Sequence, residues 1–504
     1  MNNNYDVIVV GAGNGGLAAA ATTAKHGLKT LLLERHNIPG GSATSFRRGR
    51  FEFETSLHEL ADVGSVEQPG GVRKLFEELG ADVDWRLEDT TFRVIAQEEG
   101  IDAVLPAGID AFADEMERQV PGCRDSVMAV FDLAQKAEDA LAYLSQGKPD
   151  PKVLATEHVD FMRMASHTVD ECLDALGMPK RAQQIIGTYW PYLGVPTDQL
   201  DFLHYASMFL RYVRPHPAMP YMRSHELSLS LEKSIRDNGG EVWYNSEVTN
   251  FLVEENAVKG VVVDGQEIYA DHVITNGFPS QAYANMIQAD QVPETAVKLA
   301  NARKLGLSFV TVYLGLNRSA EELGIKDYSI FMESTADSRV QYDRCLNQLN
   351  SPYIIMNCLN NVIPDSSPEG TCTLFFTGMQ IGDPWKDITP EEYRKAKHRV
   401  ADSMIDYCEK MLGISIKPYI EEIVIAAPPT FARYLNTPQG TPYGYENARW
   451  DGMLPRIMSM KNEQFIRGLR FCGAPAERTD GYSSAYMTGA NAGKLTVKDV
   501  KEGK

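Results

Sequence analysis

The opening stretch, residues 6–35, constrains the fold more than any other part of this 504-residue chain. It reads DVIVVGAGNGGLAAAATTAKHGLKTLLLER. The apolar run 6–10 is typical of a buried parallel strand, and the alanine-rich segment 17–26 after the glycines predicts a helix. A second strand is predicted over 29–33 and ends at Glu34. This order of strand, glycine turn, helix, strand and acid predicts a Rossmann-type unit that binds a dinucleotide.

The glycines and the acid of this unit each serve a physical purpose. Gly11 permits the tight turn, Gly13 lets the backbone approach a pyrophosphate, and Gly16 lets the helix pack closely on the strand. The helix N-terminus then faces the phosphates. Glu34 follows Gly13 by 21 residues, a spacing that predicts hydrogen bonds to ribose hydroxyls. Arg35 would suit a 2′-phosphate, but the acid beside it opposes that ligand.

Two further segments extend the prediction from a dinucleotide to FAD. Segment 35–60 places Gly40 and Gly41 beside a short polar run, which suits backbone that passes close to a cofactor and which an NAD-binding unit does not need. Segment 468–493 predicts a strand over 469–472, a polar loop, and a helix of small residues that begins near residue 481. The positive N-terminus of that helix suits the edge of a flavin that becomes anionic on reduction.

The central block, residues 238–279, predicts a compact set of strands behind a helix over 226–238. Asp264-Gly265 is a strong signal for a two-residue hairpin. The predicted strands cover 241–244, 247–253, 258–263, 267–270 and 272–275. Such a block returns the chain to the nucleotide-binding domain, although an independent small sheet domain is the alternative.

The predicted division of the chain follows from this return. An FAD-binding domain is expected from residues 1–90, 220–285 and 460–504, and a substrate-binding domain from 91–219 and 286–459. Runs such as 309–316 and 371–376 predict strands in the second domain.

The whole chain resembles the FAD-dependent phytoene desaturase, carotenoid isomerase and retinol saturase family. The glycine fingerprint, the segment LLLER…GGSATSF…FEFETSLHEL, the central block and the C-terminal strand, loop and helix match that family in order. The resemblance implies FAD and an α/β fold, a Rossmann-type (GR2-like) FAD-binding domain with a discontinuous α+β substrate-binding domain. The residues that it places at the cofactor are Gly11, Gly13, Gly16, Glu34, Arg35, Gly41, Ser42, Val248, Gly473, Ala474, Tyr482, Ser483, Ser484 and Ala485.

The stretch 189–222 is unusually rich in aromatic residues and methionine. Such stretches usually form core, and the alternative is a long apolar tunnel for substrate. The substrate-binding candidates are Tyr189, Trp190, Tyr205, Phe209 and Arg223. Under the tunnel hypothesis its mouth, with Arg211, Arg214 and Arg223 nearby, rests on an anionic membrane surface or meets an acidic head group.

Hydride chemistry on an alkene asks little of the protein beyond positioning and one proton-handling side chain. The candidates for that proton transfer are His58, Glu59, Tyr221, His225 and Tyr486. A single histidine is more often a structural residue than a catalyst.

Two positions depart from the family pattern. Arg223 and His225 lie where relatives commonly carry a Gly-Gly pair, so Arg223 is either solvated or pairs with the carboxylate of a fatty or retinoid-like acid. The loop residues Glu477, Arg478 and Asp480 lie where relatives are often rich in glycine and proline, which puts the substrate in question.

Composition excludes several classes of protein. A net charge of −19 argues against general nucleic-acid binding. The 7 cysteines include no CxxC pair, so neither a zinc site nor a disulfide framework is indicated and a reducing, cytoplasmic setting is expected. No signal peptide or membrane-spanning run is visible, which leaves peripheral membrane contact open. Oligomeric state is not predicted.

These observations predict an FAD-dependent oxidoreductase that desaturates, saturates or isomerises C=C bonds of a long hydrophobic substrate, with the direction undetermined. The substrate class is carotenoid, retinoid or isoprenoid-like, or an unsaturated fatty acid. The alternatives are a flavin amine oxidase of the same fold and a non-catalytic protein that binds FAD and lipid.

Overall fold

A computed structural model describes residues 4–145, 150–460, 464–476 and 481–503. Its strands are β1 (Asn4–Val10), β2 (Thr30–Leu33), β3 (Ser45–Arg48), β4 (Phe51–Glu54), β5 (Trp85–Leu87), β6 (Thr90–Ala96), β7 (Ile101–Pro106), β8 (Ala218–Pro220), β9 (Glu241–Trp243), β10 (Val248–Glu254), β11 (Ala257–Val263), β12 (Gln266–Thr275), β13 (Ser308–Leu316), β14 (Ser329–Glu333), β15 (Tyr353–Cys358), β16 (Cys372–Gln380), β17 (Ile420–Ala426) and β18 (Leu469–Phe471).

Its helices are α1 (Asn14–Lys25), α2 (Gly71–Leu79), α3 (Ile109–Gln119), α4 (Arg124–Ser145), α5 (Pro151–Thr156), α6 (Val159–Met164), α7 (Val169–Ala175), α8 (Lys180–Ile186), α9 (Phe202–Val213), α10 (Ser224–Asp237), α11 (Pro279–Gln281), α12 (Glu294–Ala302), α13 (Ser338–Cys345), α14 (Pro390–Leu412), α15 (Pro428–Leu435), α16 (Met453–Met460) and α17 (Gly481–Glu502). Among the residues that the structure describes, no helix is long and apolar enough to cross a bilayer.

The first seven-stranded sheet has the order β10-β11-β12-β1-β2-β9, with β18 also paired to β12. Strands β12, β1, β2 and β9 are parallel to one another, and α1 connects β1 to β2. This arrangement confirms the predicted Rossmann-type fold. The strands of the sheet come from three stretches that are far apart in the sequence, 4–33, 241–275 and 469–471.

Strand β12 corrects one detail of the predicted elements. The runs 267–270 and 272–275 were expected as separate strands, whereas β12 is continuous from Gln266 to Thr275. One edge of β12 pairs first with β11 and then, from Val273, with β18, so the strand serves two partners in succession. The hairpin before it agrees with the prediction, because Asp264 and Gly265 both have positive φ, 51° and 74°.

The second seven-stranded sheet has the order β17-β13-β16-β15-β14-β6-β7. Its pairs are antiparallel except for β14 and β6, and its strands lie within 90–106 and 308–426. Strands β13 and β16 are buried along their whole length, which agrees with the apolar runs predicted there. A large aromatic core lies against this sheet and α3, α4 and α9.

Helices α1 and α17 pack closely because small residues face each other. A Cβ added to Gly489 would lie 2.0 Å from the carbonyl oxygen of Gly15, and one added to Gly493 would lie 2.8 Å from Cβ of Thr22. This contact fixes the N-terminus of α17 next to the glycine turn after β1, which positions both helix ends at one site.

Candidate active site

One cavity of about 430 Å³ begins at the carboxyl ends of β1, β2 and β12 and continues to the second sheet. Ligands of open parallel sheets bind at this edge. The wall at the first sheet includes Val10, Leu33 and Thr275, the last residues of their strands, and the wall at the second sheet includes Phe309 of β13. The cavity therefore joins the dinucleotide-binding unit to the other sheet.

The glycine turn forms a cradle with no room for side chains. A Cβ on Gly13 would lie 2.4 Å from Nδ2 of Asn276, and one on Gly15 would lie 2.6 Å from the backbone nitrogen of Gly473. A Cβ on Gly16 would lie 1.9 Å from the carbonyl oxygen of Gly11. Oδ1 of Asn14 is buried and has no hydrogen-bond partner in the described part of the chain. A close backbone cradle at a helix N-terminus fits a pyrophosphate, because the backbone N–H groups there can donate to phosphate oxygens.

Glu34 is fixed by two backbone contacts at the end of β2. Its Oε2 accepts the N–H of Ala12 at 2.7 Å, and its Oε1 accepts the N–H of His36 at 2.8 Å. The carboxylate lines the cavity and keeps further lone pairs for ribose hydroxyls. Arg35 also lines the cavity, but its guanidinium donates to the carbonyls of Arg433 and Tyr434.

The N-terminus of α17 forms the opposite end of the nucleotide site. The Tyr482 hydroxyl lies 2.8 Å from the carbonyl oxygen of Ser42 and 2.9 Å from Oγ of Ser56. Oγ of Ser483 donates to the carbonyl of Ala61 at 2.9 Å. These contacts hold segment 56–61 across the helix end, where the helix dipole favours negative charge.

The structure brings nearly all predicted cofactor residues to this cavity. The residues that line it are Gly11, Gly13, Glu34, Arg35, Gly41, Ser42, Val248, Gly473, Ala474, Tyr482, Ser483, Ser484 and Ala485. Gly16 does not line the cavity and instead packs against Gly11. Asn14, Gly15 and Asn276 also line it, and sequence reasoning missed them, although Asn14 and Gly15 lie inside the quoted fingerprint.

A hydrogen-bonded group of His58, Glu59 and Tyr192 lies on the wall beyond the α17 terminus. The Tyr192 hydroxyl donates to Oε1 of Glu59 at 2.8 Å and lies 3.2 Å from Nδ1 of His58. Nε2 of His58 lies 2.9 Å from Oγ1 of Thr377, on β16. Burial lowers the pKa of His58 to about 3, so its ring is neutral, and burial raises the pKa of Glu59 to about 8.

One face of α9 forms another part of this wall. Sequence reasoning missed its members His204 and Ser207, whereas Arg211 was expected near a tunnel mouth. The residues are His204, Ser207, Met208, Arg211 and Tyr212, whose helical spacing was the available signal. Arg211 and Arg214 both bind Glu138, each at 3.1 Å. Glu138 therefore partly neutralises the positive charge of two arginines that were expected at the tunnel mouth.

The aromatic substrate-binding candidates are in the core and do not line the cavity. Tyr189 donates to the carbonyl of Thr91 at 3.0 Å, and Nε1 of Trp190 donates to Oε1 of Gln341 at 2.7 Å. The Tyr205 hydroxyl donates to the carbonyl of Ile186, and Phe209 stacks on Phe131. These four residues therefore form core and do not line a substrate tunnel. Tyr192, Met208 and Tyr212 from the same stretch do reach the cavity.

Arg223 also lies away from the cavity. It is 6% exposed, donates to the carbonyl of Ser366, and has the carboxylate of Glu52 4.0 Å away. Its φ of 64° places it at a sharp turn before α10. This placement does not support the expected clamp on a substrate carboxylate, because Arg223 does not line the cavity and its two terminal nitrogens face the Ser366 carbonyl and Glu52, while its Nε has no hydrogen-bond partner among the described residues. The loop residues Glu477, Arg478 and Asp480 lie outside the described residues.

Three proton-transfer candidates are also separate from the cavity lining. Tyr221 donates to Asp365, and Nδ1 of His225 lies 3.4 Å from Oγ1 of Thr44. Tyr486 is fully buried and packs edge-on against Phe76. Of the five candidates, only His58 and Glu59 therefore line the cavity.

Comparisons with known proteins give one match to the N-terminal part of the chain and several matches over most of its length. Residues 9–79 match the model of an NAD(P)-binding Rossmann-like domain. The chain is 26% identical to a prolycopene isomerase of Daucus carota over 88% of this chain and 74% of that protein. It is 24% identical to an all-trans-retinol 13,14-reductase of Danio rerio, over 91% and 80% of the two chains. It is also 24% identical to a hydroxyneurosporene desaturase of Cereibacter sphaeroides, over 98% of each.

Solved structures show the same fold. An oxidoreductase from Methanosarcina mazei superposes with a TM-score of 0.65 at 14% identity, over 98% of this chain and 99% of that one. The likeness therefore extends over both sheets.

Proposed function

We propose that this chain, which is similar over most of its length to carotenoid isomerases, retinol reductases and carotenoid desaturases, desaturates, saturates or isomerises a C=C bond of a long hydrophobic substrate. One observation carries the proposal: a single cavity joins the dinucleotide cradle to a largely apolar and aromatic wall on the second sheet and α9. A substrate bound against this wall would lie next to the part of the cofactor that is bound at the N-terminus of α17.

FAD is the cofactor, and the residues of the cradle fit it. The glycine turn would hold the pyrophosphate, Glu34 the ribose, and the N-terminus of α17 the flavin ring. When bound, FAD supplies or removes a hydride. The protein orients the substrate and the cofactor, excludes water from the cavity and supplies a proton.

The substrate class follows from the wall and from the relatives. Phe309, Tyr443, Met208 and Met453 line the cavity and offer apolar contacts to a long chain. The relatives are named for prolycopene, retinol and hydroxyneurosporene, which are conjugated isoprenoids. We therefore propose a polyene of this class for this chain, with an unsaturated fatty acid as the second choice.

Glu59 is the proposed proton-transfer residue. Segment 56–61 contacts the N-terminus of α17 at Ser56 and at Ala61, so Glu59 lies between two contacts with the flavin end. Its raised pKa keeps the carboxyl protonated at neutral pH, as a general acid requires. Neutral His58 holds the Tyr192 hydroxyl that in turn binds Glu59.

A polyene is also sparingly soluble in water, so peripheral membrane contact is part of the proposal. Cosedimentation with liposomes of neutral and anionic lipid tests it. A protein that stays in the supernatant with both would contradict membrane contact and leave the chemistry untouched.

The decisive experiment is an anaerobic spectral titration of the purified flavoprotein. Oxidised and chemically reduced protein is mixed with polyenes, unsaturated fatty acids or primary amines, while flavin absorbance and products are followed. We expect a polyene to change the flavin absorbance or to be converted to a product. Reduction by amines alone would favour an amine oxidase, and bound FAD that responds to no ligand would favour a non-catalytic FAD and lipid carrier. Failure to take up FAD would contradict the cofactor assignment.

A further inference from the structure

We propose that residues 434–437, at the end of α15, form the outer wall of the adenosine half of the FAD site. Arg35 and His36 are the positioning residues that hold this wall, here called the α15 tip, against the end of β2. The inference concerns the cofactor and goes beyond the proposed chemistry on C=C bonds. It gives Arg35 an indirect role in place of the direct cofactor contact that the family resemblance implied.

The α15 tip lines the same cavity as the residues at the end of β2. The lining includes all four residues of the tip and, next to β2, Glu34, Arg35 and His36. Glu34 is the proposed ribose ligand, and Arg35 and His36 follow it directly in the chain. A wall that contacts Arg35 and His36 therefore borders the half of the site that would hold adenosine.

Three hydrogen bonds and one ring contact join the tip to this end of β2. Nη2 of Arg35 donates to the carbonyl of Arg433 at 2.8 Å and to that of Tyr434 at 3.0 Å. Nε2 of His36 lies 3.0 Å from the same Tyr434 carbonyl, and since a carbonyl only accepts, this nitrogen carries the proton. The rings of His36 and Tyr434 stack, with centroids 5.8 Å apart and 19° between their planes.

The acceptors of these hydrogen bonds explain why a cation is suited to this position. The carbonyls of Arg433 and Tyr434 lie in the last turn of α15, where a helix leaves oxygens without an intrahelical partner. The C-terminus of a helix carries partial negative charge, which a guanidinium stabilises. Arg35 therefore acts as a cap on α15, and its charge is directed at the helix end.

The other end of α15 is fixed to the second sheet. Phe431 packs edge-on against Phe309 of β13, with ring centroids 5.7 Å apart, and Oγ1 of Thr430 lies 2.8 Å from the hydroxyl of Tyr393 on α14. The tip has less cover, since Tyr434 is 57% exposed. The helix thus extends from the second sheet to the nucleotide site, so the second domain completes the cofactor site.

The side chains of the tip are suited to adenosine. Leu435 offers an apolar surface for a base, and the amide of Asn436 can both donate and accept. Oγ1 of Thr437 is buried and has no hydrogen-bond partner among the residues that the structure describes. Asn436 has a φ of 55°, the left-handed conformation that ends α15 and directs the chain into the tip.

Flavin titration of the deflavinated, full-length protein tests the wall. Dissociation constants for FAD and for FMN, which lacks the adenosine half, are measured by flavin fluorescence, and AMP is measured by competition with FAD. Wild type is compared with R35A, H36A and a truncated tip, L435A/N436A/T437A. R433A is the matched control, because Arg433 contributes its carbonyl to the contact and its exposed side chain can be replaced without removing that acceptor. Melting temperatures confirm folding.

We expect R35A, H36A and the truncated tip to weaken FAD and AMP by about 2- to 10-fold each, the range of one hydrogen bond, and to leave FMN unchanged. R433A should match wild type. Equal weakening of FMN and FAD would overturn the assignment to the adenosine half, because it would indicate a general loosening of the protein. Unchanged FAD binding in the truncated tip would refute the wall itself. If R35A does not fold, H36A gives the same comparison.

A double-mutant cycle decides whether Arg35 acts through the tip. If it does, R35A should weaken FAD in the wild-type background and have little further effect in the truncated tip. Equal effects of R35A in both backgrounds would mean that Arg35 contacts the cofactor directly, and would overturn its positioning role.

These measurements use no substrate, so they are independent of the proposed reaction. A protein that shows the expected FAD, AMP and FMN pattern but converts no polyene would contradict the proposed function and support the adenosine wall. A protein that converts a polyene with unchanged FAD affinity in every variant would support the function and refute the wall.

Discussion

The Tyr192 hydroxyl donates to Oε1 of Glu59 at 2.8 Å, and this contact joins the aromatic stretch of the sequence to the cofactor-side segment. The donor favours the charged form of Glu59 and so opposes the effect of burial on its pKa. The hydrogen bond from Tyr192 therefore limits how far burial raises the pKa of the Glu59 carboxyl.

Replacement of Tyr192 by Phe should raise the pKa of Glu59 further above about 8, because the hydrogen bond that lowers it is lost. A group that must be protonated works below its pKa, so the alkaline limb of the kcat/KM profile should move to higher pH. The protein should lose about 1 kcal/mol of stability. Tyr212→Phe, also on the wall, is the control, and an equal shift in both variants would contradict the specific role of Tyr192.

Gly15→Ala should impair FAD binding. The new Cβ would lie 2.6 Å from the backbone nitrogen and 2.8 Å from Cα of Gly473, and backbone atoms cannot move aside easily. Overpacking of this kind costs about 1–3 kcal/mol, which corresponds to about 5- to 150-fold in affinity. The ratio of flavin to protein after dialysis measures the effect. Gly187→Ala, where the nearest atom is 3.4 Å away, should keep a wild-type ratio.

Arg223→Ala should reduce stability without changing the affinity for an acidic substrate. Its guanidinium binds the carbonyl of Ser366 in a buried site, and hydrogen bonds from charged groups contribute about 1.5–3 kcal/mol. Thermal unfolding and the KM for an unsaturated fatty acid report the two effects. A large rise in KM with an unchanged melting temperature would restore the carboxylate clamp that the sequence had suggested.

The buried, neutral ring of His58 should lower the free energy of unfolding as the pH becomes acidic. Its pKa falls from 6.5 to about 3 on folding, so between these values the unfolded state binds one more proton than the folded state. Stability then falls by about 1.4 kcal/mol per pH unit as the pH drops through that window. Urea unfolding of wild type and His58→Gln at pH 4 to 7 should show this slope in the difference. The exposed His167→Gln serves as control, and parallel curves for His58→Gln and wild type would refute the buried neutral ring.

The sequence determined the parts of this protein that depend on local pattern. The strand, glycine turn, helix and acid of residues 6–35 predict the βαβ unit and a dinucleotide, because tight turns, close backbone approach and helix ends are fixed by neighbouring residues. Segments 35–60 and 468–493 extend that prediction to FAD. The Asp264-Gly265 hairpin and the helix that begins at Gly481 follow for the same reason.

Only the tertiary structure decided which side chains meet at the cavity. Arg223 and Tyr205 have the residue types of a substrate site, yet long-range packing directs them to backbone carbonyls. Thr377 belongs to no motif, and only the structure shows that β16 brings its Oγ1 to 2.9 Å from Nε2 of His58. Burial, partners and charge coupling arise from chain segments that are far apart in sequence, so they appear only after the segments have packed.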